Sequence, residues 1–176
     1  MNGKKILVIS DTHGDLKNLK KLLSRERKFD TVIHLGDTEG TDREIRALVS
    51  SVNPLSDVLF VRGNCDQDSA EPYEKVYDYE GVRIFFTHGN RYQVKSGFSL
   101  LTQAAGREGC QTALYGHTHI PFIGKEEGIL IANPGSLKYP RQTGEAASYG
   151  VIRIFRKGVL TFEHRYLVTA KKEAES

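Results

Sequence analysis

Apolar residues follow two rhythms in the first third of the chain. Residues 6–9, 31–35 and 58–61 are short, largely uninterrupted apolar runs, the pattern of strands buried on both faces. Between them, Leu16, Leu19, Leu22 and Leu23, and then Ile45, Leu48, Val49 and Val52, recur at three- and four-residue spacing. That spacing predicts amphipathic helices. The first covers about residues 15–28, and the second starts at Thr41-Asp42-Arg43-Glu44, a capping-box pattern. The order β-α-β-α-β implies a parallel sheet with right-handed crossovers. Ligands of such sheets bind beyond the carboxyl ends of the strands.

Strands dominate the second half. Residues 76–79 and 82–87 flank Glu80-Gly81 and predict a hairpin, while residues 95–107 predict a helix. Residues 113–115, 129–132, 149–155 and 159–166 read as strands, the last two joined by a turn at Lys157-Gly158. Residues 170–176 are a polar tail expected to fray. With no internal repeat and no domain-length linker, residues 1–176 are expected to form a single domain of α/β class, two sheets packed together with helices outside.

Charge adds little. The net charge of +3 with neutral His comes without a run of five like charges, so no nucleic-acid-binding face is indicated. Cys65 and Cys110 are too few for a disulfide scaffold. Lys4-Lys5 precede an apolar run as in a secretory signal, but the run stops at Ser10-Asp11, and no stretch approaches the ~18 apolar residues of a membrane span. A cytoplasmic location is expected. The oligomeric state is left open, homodimer and homotetramer included.

The chemistry lies in five short segments, each just after a predicted strand. They are Asp11-x-His13, Gly36-Asp37, Gly63-Asn64, His88-Gly89 and Gly116-His117-x-His119. Any one alone is ordinary turn chemistry. At the ends of strands in one sheet edge they converge. Imidazoles mixed with oxygen donors suit Mn²⁺, Fe²⁺, Co²⁺, Ni²⁺ or Zn²⁺, and a set without Cys argues against structural zinc. Seven ligands are too many for one ion and about right for two, and a pair of ions ~3.5–4 Å apart can clamp an in-line phosphoryl displacement. His34 and His164 fall outside the set and read as a sheet-end histidine and a partly exposed strand residue.

This ordered set resembles the calcineurin-like metallophosphoesterases, whose pattern is DxH, GD, GNH(D/E), a separate His and GHxH, and most of all their small YfcE-type phosphodiesterases. The resemblance spans roughly residues 5–140, and Asn133-Pro134-Gly135-Ser136 matches the stretch these small members carry after GHxH. It implies a four-layer α/β/β/α sandwich and a dinuclear site, often holding Mn²⁺. It implies that Asp11, His13 and His119 hold one ion, that Asn64, His88 and His117 hold the other, and that Asp37 bridges both. The implied activity is hydrolysis of phosphodiester bonds by metal-activated water, with Asp37 and Asn64 in the catalytic centre and a small diester as substrate. Two alternatives accompany it: a metal-poor protein-interaction scaffold, as in the related retromer subunit, and a nuclease acting on short oligonucleotides. The chain departs from the pattern twice. Cys65 stands where the family has the His assigned to the leaving group, and Asn90 stands where many small relatives have a further His. Cys65 reads as a small loop residue, and Asp66 as one that orients the loop.

Overall fold

The computed structural model describes residues 3–144 and 146–167. The elements follow in the order β1 (Lys4–Ile9), α1 (Lys17–Arg25), β2 (Thr31–His34), α2 (Asp42–Val52), β3 (Asp57–Phe60), β4 (Glu74–Tyr79) and β5 (Val82–Thr87). They continue with α3 (Ser99–Arg107), β6 (Thr112–Leu114), β7 (Phe122–Glu126), β8 (Ile129–Asn133), β9 (Ala147–Ile154) and β10 (Leu160–Leu167).

Two five-stranded mixed sheets result, ordered β10-β9-β1-β2-β3 and β4-β5-β6-β8-β7. In the first, β1, β2 and β3 run parallel and β9 and β10 antiparallel. In the second, β5, β6 and β8 are parallel, flanked by antiparallel β4 and β7. Alternation along β1 shows why its apolar run is unbroken. Ile6 and Val8 pack between the sheets with Ile33, Phe86 and Leu114, while Leu7 and Ile9 pack under α1 and α2 against Leu19, Leu22 and Ile45. On the far side, α3 lays Leu101 and Ala105 on Phe85, Ala113 and Ile131. The layers are therefore α/β/β/α, and five parallel strands, β1, β2, β3, β5 and β6, end in the loops that carry candidate ligands.

Four local expectations change. The helix expected over 15–28 is only Lys17–Arg25. Asp15 Oδ1 accepts the Lys17 N–H and starts the helix late, and Glu26 turns inward to meet Lys5, Tyr149 and Arg165. The helix expected over 95–107 begins at Ser99, because Gly97 takes φ 146° just before it. The capping box is not made: the Thr41 hydroxyl donates to Thr38 O and accepts no helix N–H. Strand β7 was not anticipated; it is an edge strand of alternating partial exposure carrying Gly124 and Lys125, with little apolar signal. The Glu80-Gly81 hairpin is present, both residues at positive φ as a two-residue turn of primed type needs. The turn at Lys157-Gly158 takes the form of a short 3₁₀ segment, Arg156–Gly158. The expected fraying of 170–176 lies outside the described residues. Among those described, no helix is long and apolar enough to cross a membrane.

The Glu26 carboxylate is 4% exposed and ties the end of α1 to β1, β9 and β10. Burial works against its charge, but Lys5, Tyr149 and Arg165 outweigh burial and hold its pKa below the ordinary 4.5. A depressed carboxylate contributes stability above its unfolded pKa, and that contribution is lost as pH falls through the folded value. Glu26→Gln is expected to cost about 2 kcal/mol near neutrality, less than the ~3–5 kcal/mol of a fully enclosed pair because Arg165 reaches water. The variant should also lose less stability than wild type between pH 5 and 3, on the order of the shift itself. Urea unfolding across that range checks both.

Candidate metal centre

The loop after β1 carries Asp11 and His13, and Asp37, Asn64, His88, His117 and His119 follow β2, β3, β5 and β6. Five of these seven residues, Asp11, His13, Asp37, His117 and His119, hold left-handed backbone at φ 43–63°. Such strain costs about 1–3 kcal/mol per residue and persists only where surrounding structure over-determines it. The surrounding structure is a hydrogen-bonded frame. Asp11 N donates to Gly36 O, His13 N to Asp37 O, and Gly116 N to His88 O, which laces the loops within each sheet, while the His117 backbone N–H reaches across to Asp11 Oδ2.

Two glycines allow this closeness. A Cβ on Gly63 would lie 2.1 Å from Asp37 Oδ1, and one on Gly116 would lie 2.0 Å from Ser10 Oγ and 3.1 Å from Asp11 Oδ2. The Gly of Gly-Asn and of Gly-His is thus the space through which the carboxylates approach.

The seven side chains meet. His119 Nε2 is 3.0 Å from Asp11 Oδ1 and 3.4 Å from His13 Nε2. His13 Nε2 lies 3.8 Å from both Asp11 Oδ1 and Asp37 Oδ2. His88 Nε2 lies 3.4 Å from Asp37 Oδ2 and 3.1 Å from Asn64 Oδ1. The His117 ring stands edge-on to His88 at 5.1 Å, and the His117 backbone N–H donates to Asp11 Oδ2. Asp37 therefore lies between one group formed with Asp11 and His13 and another formed with His88 and Asn64. Donor atoms of Asp11, His13 and His119 all lie within 4.8 Å of one another, as do those of Asp11, Asp37 and His88.

Tautomers show what such a cluster is suited to hold. His88 Nδ1 donates to Leu35 O at 2.7 Å and His119 Nδ1 donates to Tyr139 O at 2.8 Å. When deprotonated, each ring turns its Nε2 lone pair inward, toward carboxylate or amide oxygens that are themselves electron-rich. Asp11 Oδ1 is fully buried and has no hydrogen-bond partner. In that state lone pairs face lone pairs at 3.0–3.4 Å, and either a proton on the imidazole or a metal ion between the donors offsets them. The donor set fits divalent metal.

Protonation follows the same logic. Burial and the charges of His88 and Lys95 lower the His117 pKa to about 4, against the pull of Asp11 and Asp37. Burial also opposes a charged His88, but Asp37 and Asp11 outweigh it and raise its pKa. Burial disfavours the Asp37 carboxylate too, yet His88 and the Cys65 backbone N–H keep it far below the usual carboxylate range.

Other residues hold the frame. Asp66 accepts from the backbone N–H of Asp37, Thr38, Glu39 and Gly63 at 2.7–2.8 Å, and from the Thr38 hydroxyl. Asn133 donates to Gly116 O and Thr118 Oγ1, and Ser136 donates to Asp11 O while accepting from Lys138 N and Tyr139 N. The sequence showed Asn133 and Ser136 only as a matching stretch; nothing in their spacing gave this bracing role. It gave no sign of Glu39 either, which accepts from His13 Nδ1 at 2.7 Å. His34 is fully buried, accepting from Gly36 N and bonded to Thr12, with its pKa pushed down to about 4 by burial. His164 is half-buried and donates to Asn133 O. Cys65 is exposed and Cys110 buried, and both are free thiols.

Removing the Asp66 carboxylate would strand four backbone N–H groups at a site 5% exposed. A buried unsatisfied donor costs about 1–3 kcal/mol, partly relieved where water can enter. Asp66→Ala is expected to lower stability by about 3 kcal/mol or more and to weaken divalent-ion binding, since it frees the loops of both Asp37 and Asn64. Urea unfolding and calorimetric titration with Mn²⁺ check the two effects.

Residues 5–157 match the calcineurin-like phosphoesterase superfamily domain. The phosphodiesterase YfcE of Escherichia coli strain K12 is 27% identical over 168 residues, covering 84% of this chain and 86% of its own. A crystal structure of a predicted phosphoesterase from Streptococcus pneumoniae superposes with TM-score 0.75 at 28% identity, covering 94% of this chain and 99% of that one. Vacuolar protein sorting 29 from Cryptosporidium parvum shares the fold at TM-score 0.71 and 19% identity, over 96% and 100% of the two chains.

Proposed function

The chain belongs to the calcineurin-like phosphoesterase superfamily, a family of metal-dependent phosphoesterases, and on that premise we propose that it hydrolyses phosphodiesters at a centre of two divalent ions, Mn²⁺ foremost. The observation that carries the reading is the set of inward-facing Nε2 lone pairs opposed to the carboxylates of Asp11 and Asp37.

Asp11, His13 and His119 hold one ion in this reading, and Asn64, His88 and His117 the other. Asp37 lies between them. When bound, the ions supply Lewis acidity: they lower the pKa of water toward neutrality and offset charge on the phosphoryl oxygens. The chain's own part is positional. Leu35 O and Tyr139 O fix the tautomers of His88 and His119, Asp66 fixes the loop of Asp37, and Ser136 fixes Asp11. Among the described residues, no Arg or Lys side chain hydrogen-bonds to any of the seven, and Lys95 is the cation whose charge acts on His117. The diester reading is in keeping with the activity named for YfcE.

Elemental analysis after Mn²⁺ loading and desalting should give close to two ions per chain. Bis(p-nitrophenyl) phosphate should be cleaved faster than p-nitrophenyl phosphate. Zero bound metal would support the interaction-scaffold alternative, and a strong monoester preference would overturn the diester reading. Chelation should also be visible in the fold. An ion at 100 times its Kd stabilises by about 2.7 kcal/mol. Stripping the metal is expected to lower Tm by about 5–10 °C for a chain of this size, with recovery on adding Mn²⁺. Loading requires deprotonated imidazoles, so affinity should fall as pH drops below neutrality.

A further inference from the structure

A cavity of about 380 Å³ opens beside the half of the centre formed by His88 and His117. Its floor is Val94, Tyr115 and Phe122, and its rim carries Lys95 and Arg141. It adjoins the centre through neighbouring residues. A Cβ on Gly89, next to His88, would meet Val94 Cγ2 at 3.0 Å and Tyr115 Cβ at 3.3 Å. Thr118, which also lines the cavity, sits between His117 and His119, and Arg141 N donates to His119 O. The floor is fixed: Tyr115 and Phe122 pack with Phe98 at ring separations of 4.9–6.5 Å, and Val94 is 5% exposed. Both rim cations are exposed, and neither makes a salt bridge or a side-chain hydrogen bond among the described residues.

A second depression, bordered by Cys65, has the reverse character. It is lined by Glu39, Asp42, Glu44, Asp68 and Glu71, with Arg43 in its lining and Arg46 and Lys75 paired to Glu71. The two depressions therefore differ in character, one apolar with a cationic rim and the other largely acidic.

We infer that the cavity over Val94, Tyr115 and Phe122 binds one ester arm of the substrate, an aromatic or nucleoside group that carries a second phosphate, with Lys95 and Arg141 receiving that phosphate. The apolar floor takes the planar group, and the guanidinium and ammonium supply charge-assisted bonds to its anion. The largely acidic depression does not suit the same arm. The favoured substrates are diesters whose retained product is a phosphorylated nucleoside or aryl monoester. This deepens the diesterase reading and rests on it for turnover, though binding does not require it.

The test compares two chromogenic diesters in the Mn²⁺-loaded enzyme: the p-nitrophenyl ester of thymidine 5′-phosphate, and the same ester bearing a 3′-phosphate. In wild type, kcat/KM should favour the 3′-phosphorylated ester by about tenfold or more, through KM, and the preference should shrink with added salt because the rim charges are exposed. In the double variant Lys95→Ala, Arg141→Ala the ratio should fall to near one. Calorimetric binding of thymidine 3′,5′-bisphosphate should weaken in step. A wild-type ratio near one, or a ratio unchanged in the double variant, overturns the subsite. If neither ester turns over, the diesterase reading fails. In that case bisphosphate binding that is lost in the double variant still supports the subsite, and binding that the variant leaves intact overturns it as well.

Discussion

Asp37→Asn is expected to lower kcat/KM by about 10³-fold or more and to weaken both metal-binding events, whereas His13→Ala should weaken mainly one. The reason is position. Asp37 Oδ2 lies 3.4 Å from His88 Nε2 and 3.8 Å from His13 Nε2, so its one oxygen faces an imidazole from each group. Asn is the informative replacement because it tolerates the left-handed φ of 58° that Asp37 holds, and it keeps the backbone N–H that Asp66 accepts. The substitution therefore isolates the charge. Two cations brought close repel each other, and the carboxylate between them is what offsets that repulsion. Leaving a buried charge uncompensated costs about 3–5 kcal/mol, or roughly 10²–10⁴-fold in an equilibrium or rate constant. Calorimetric titration with Mn²⁺ separates the outcomes. Loss of a single binding event in Asp37→Asn, the other unchanged, would show that Asp37 serves one ion only.

The cluster of candidate ligands was legible in the sequence because these are side chains on short loops after buried strands, and both the strands and the loop residues leave a local signature. Ile6 to Ile9 announced a doubly buried strand, and the structure shows its two faces packed in two different cores. What supports the site was less legible. Leu35 and Tyr139 contribute carbonyls, which no side-chain pattern reveals. Asn133 and Ser136 act across 15–125 residues of chain, by hydrogen bonds that only the closed fold creates. The capping box failed for a different reason: the Thr41 hydroxyl turns back to the carbonyl of Thr38, a local partner in the loop whose N–H groups Asp66 gathers from 27–29 residues away. Strand β7 lay hidden because an edge strand half open to water needs few apolar residues.

Cys65 decides the second large effect. Diesters with aryl leaving groups are expected to be cleaved about 10²–10⁴-fold faster than alkyl diesters, the contribution a positioned general acid typically makes. The Cys65 thiol is pushed up to about 12, first by burial and then by the carboxylate of Asp37, so it stays protonated and binds its proton tightly. It is also a weak donor, and it is already engaged as acceptor of the Asn64 amide at 3.3 Å. The two histidines outside the centre cannot stand in. His34 is fully enclosed and bonded to Thr12 and Gly36, and His164 is spent on Asn133 O. An aryl oxide departs without help, whereas an alkoxide does not. Cys65→His should therefore raise the alkyl rates by about 10–100-fold and leave the aryl rates nearly unchanged, a fraction of the full general-acid effect because the new imidazole has no built partner. The measurement is kcat/KM for diesters of graded leaving-group pKa in both proteins. A flat wild-type series with chemistry rate-limiting would mean that another group delivers the proton, and Asn90, half-buried beside His88-Gly89, would be the next residue to change. A steep series that Cys65→His fails to flatten would place the departing oxygen away from residue 65, on the side of the cavity rimmed by Lys95 and Arg141.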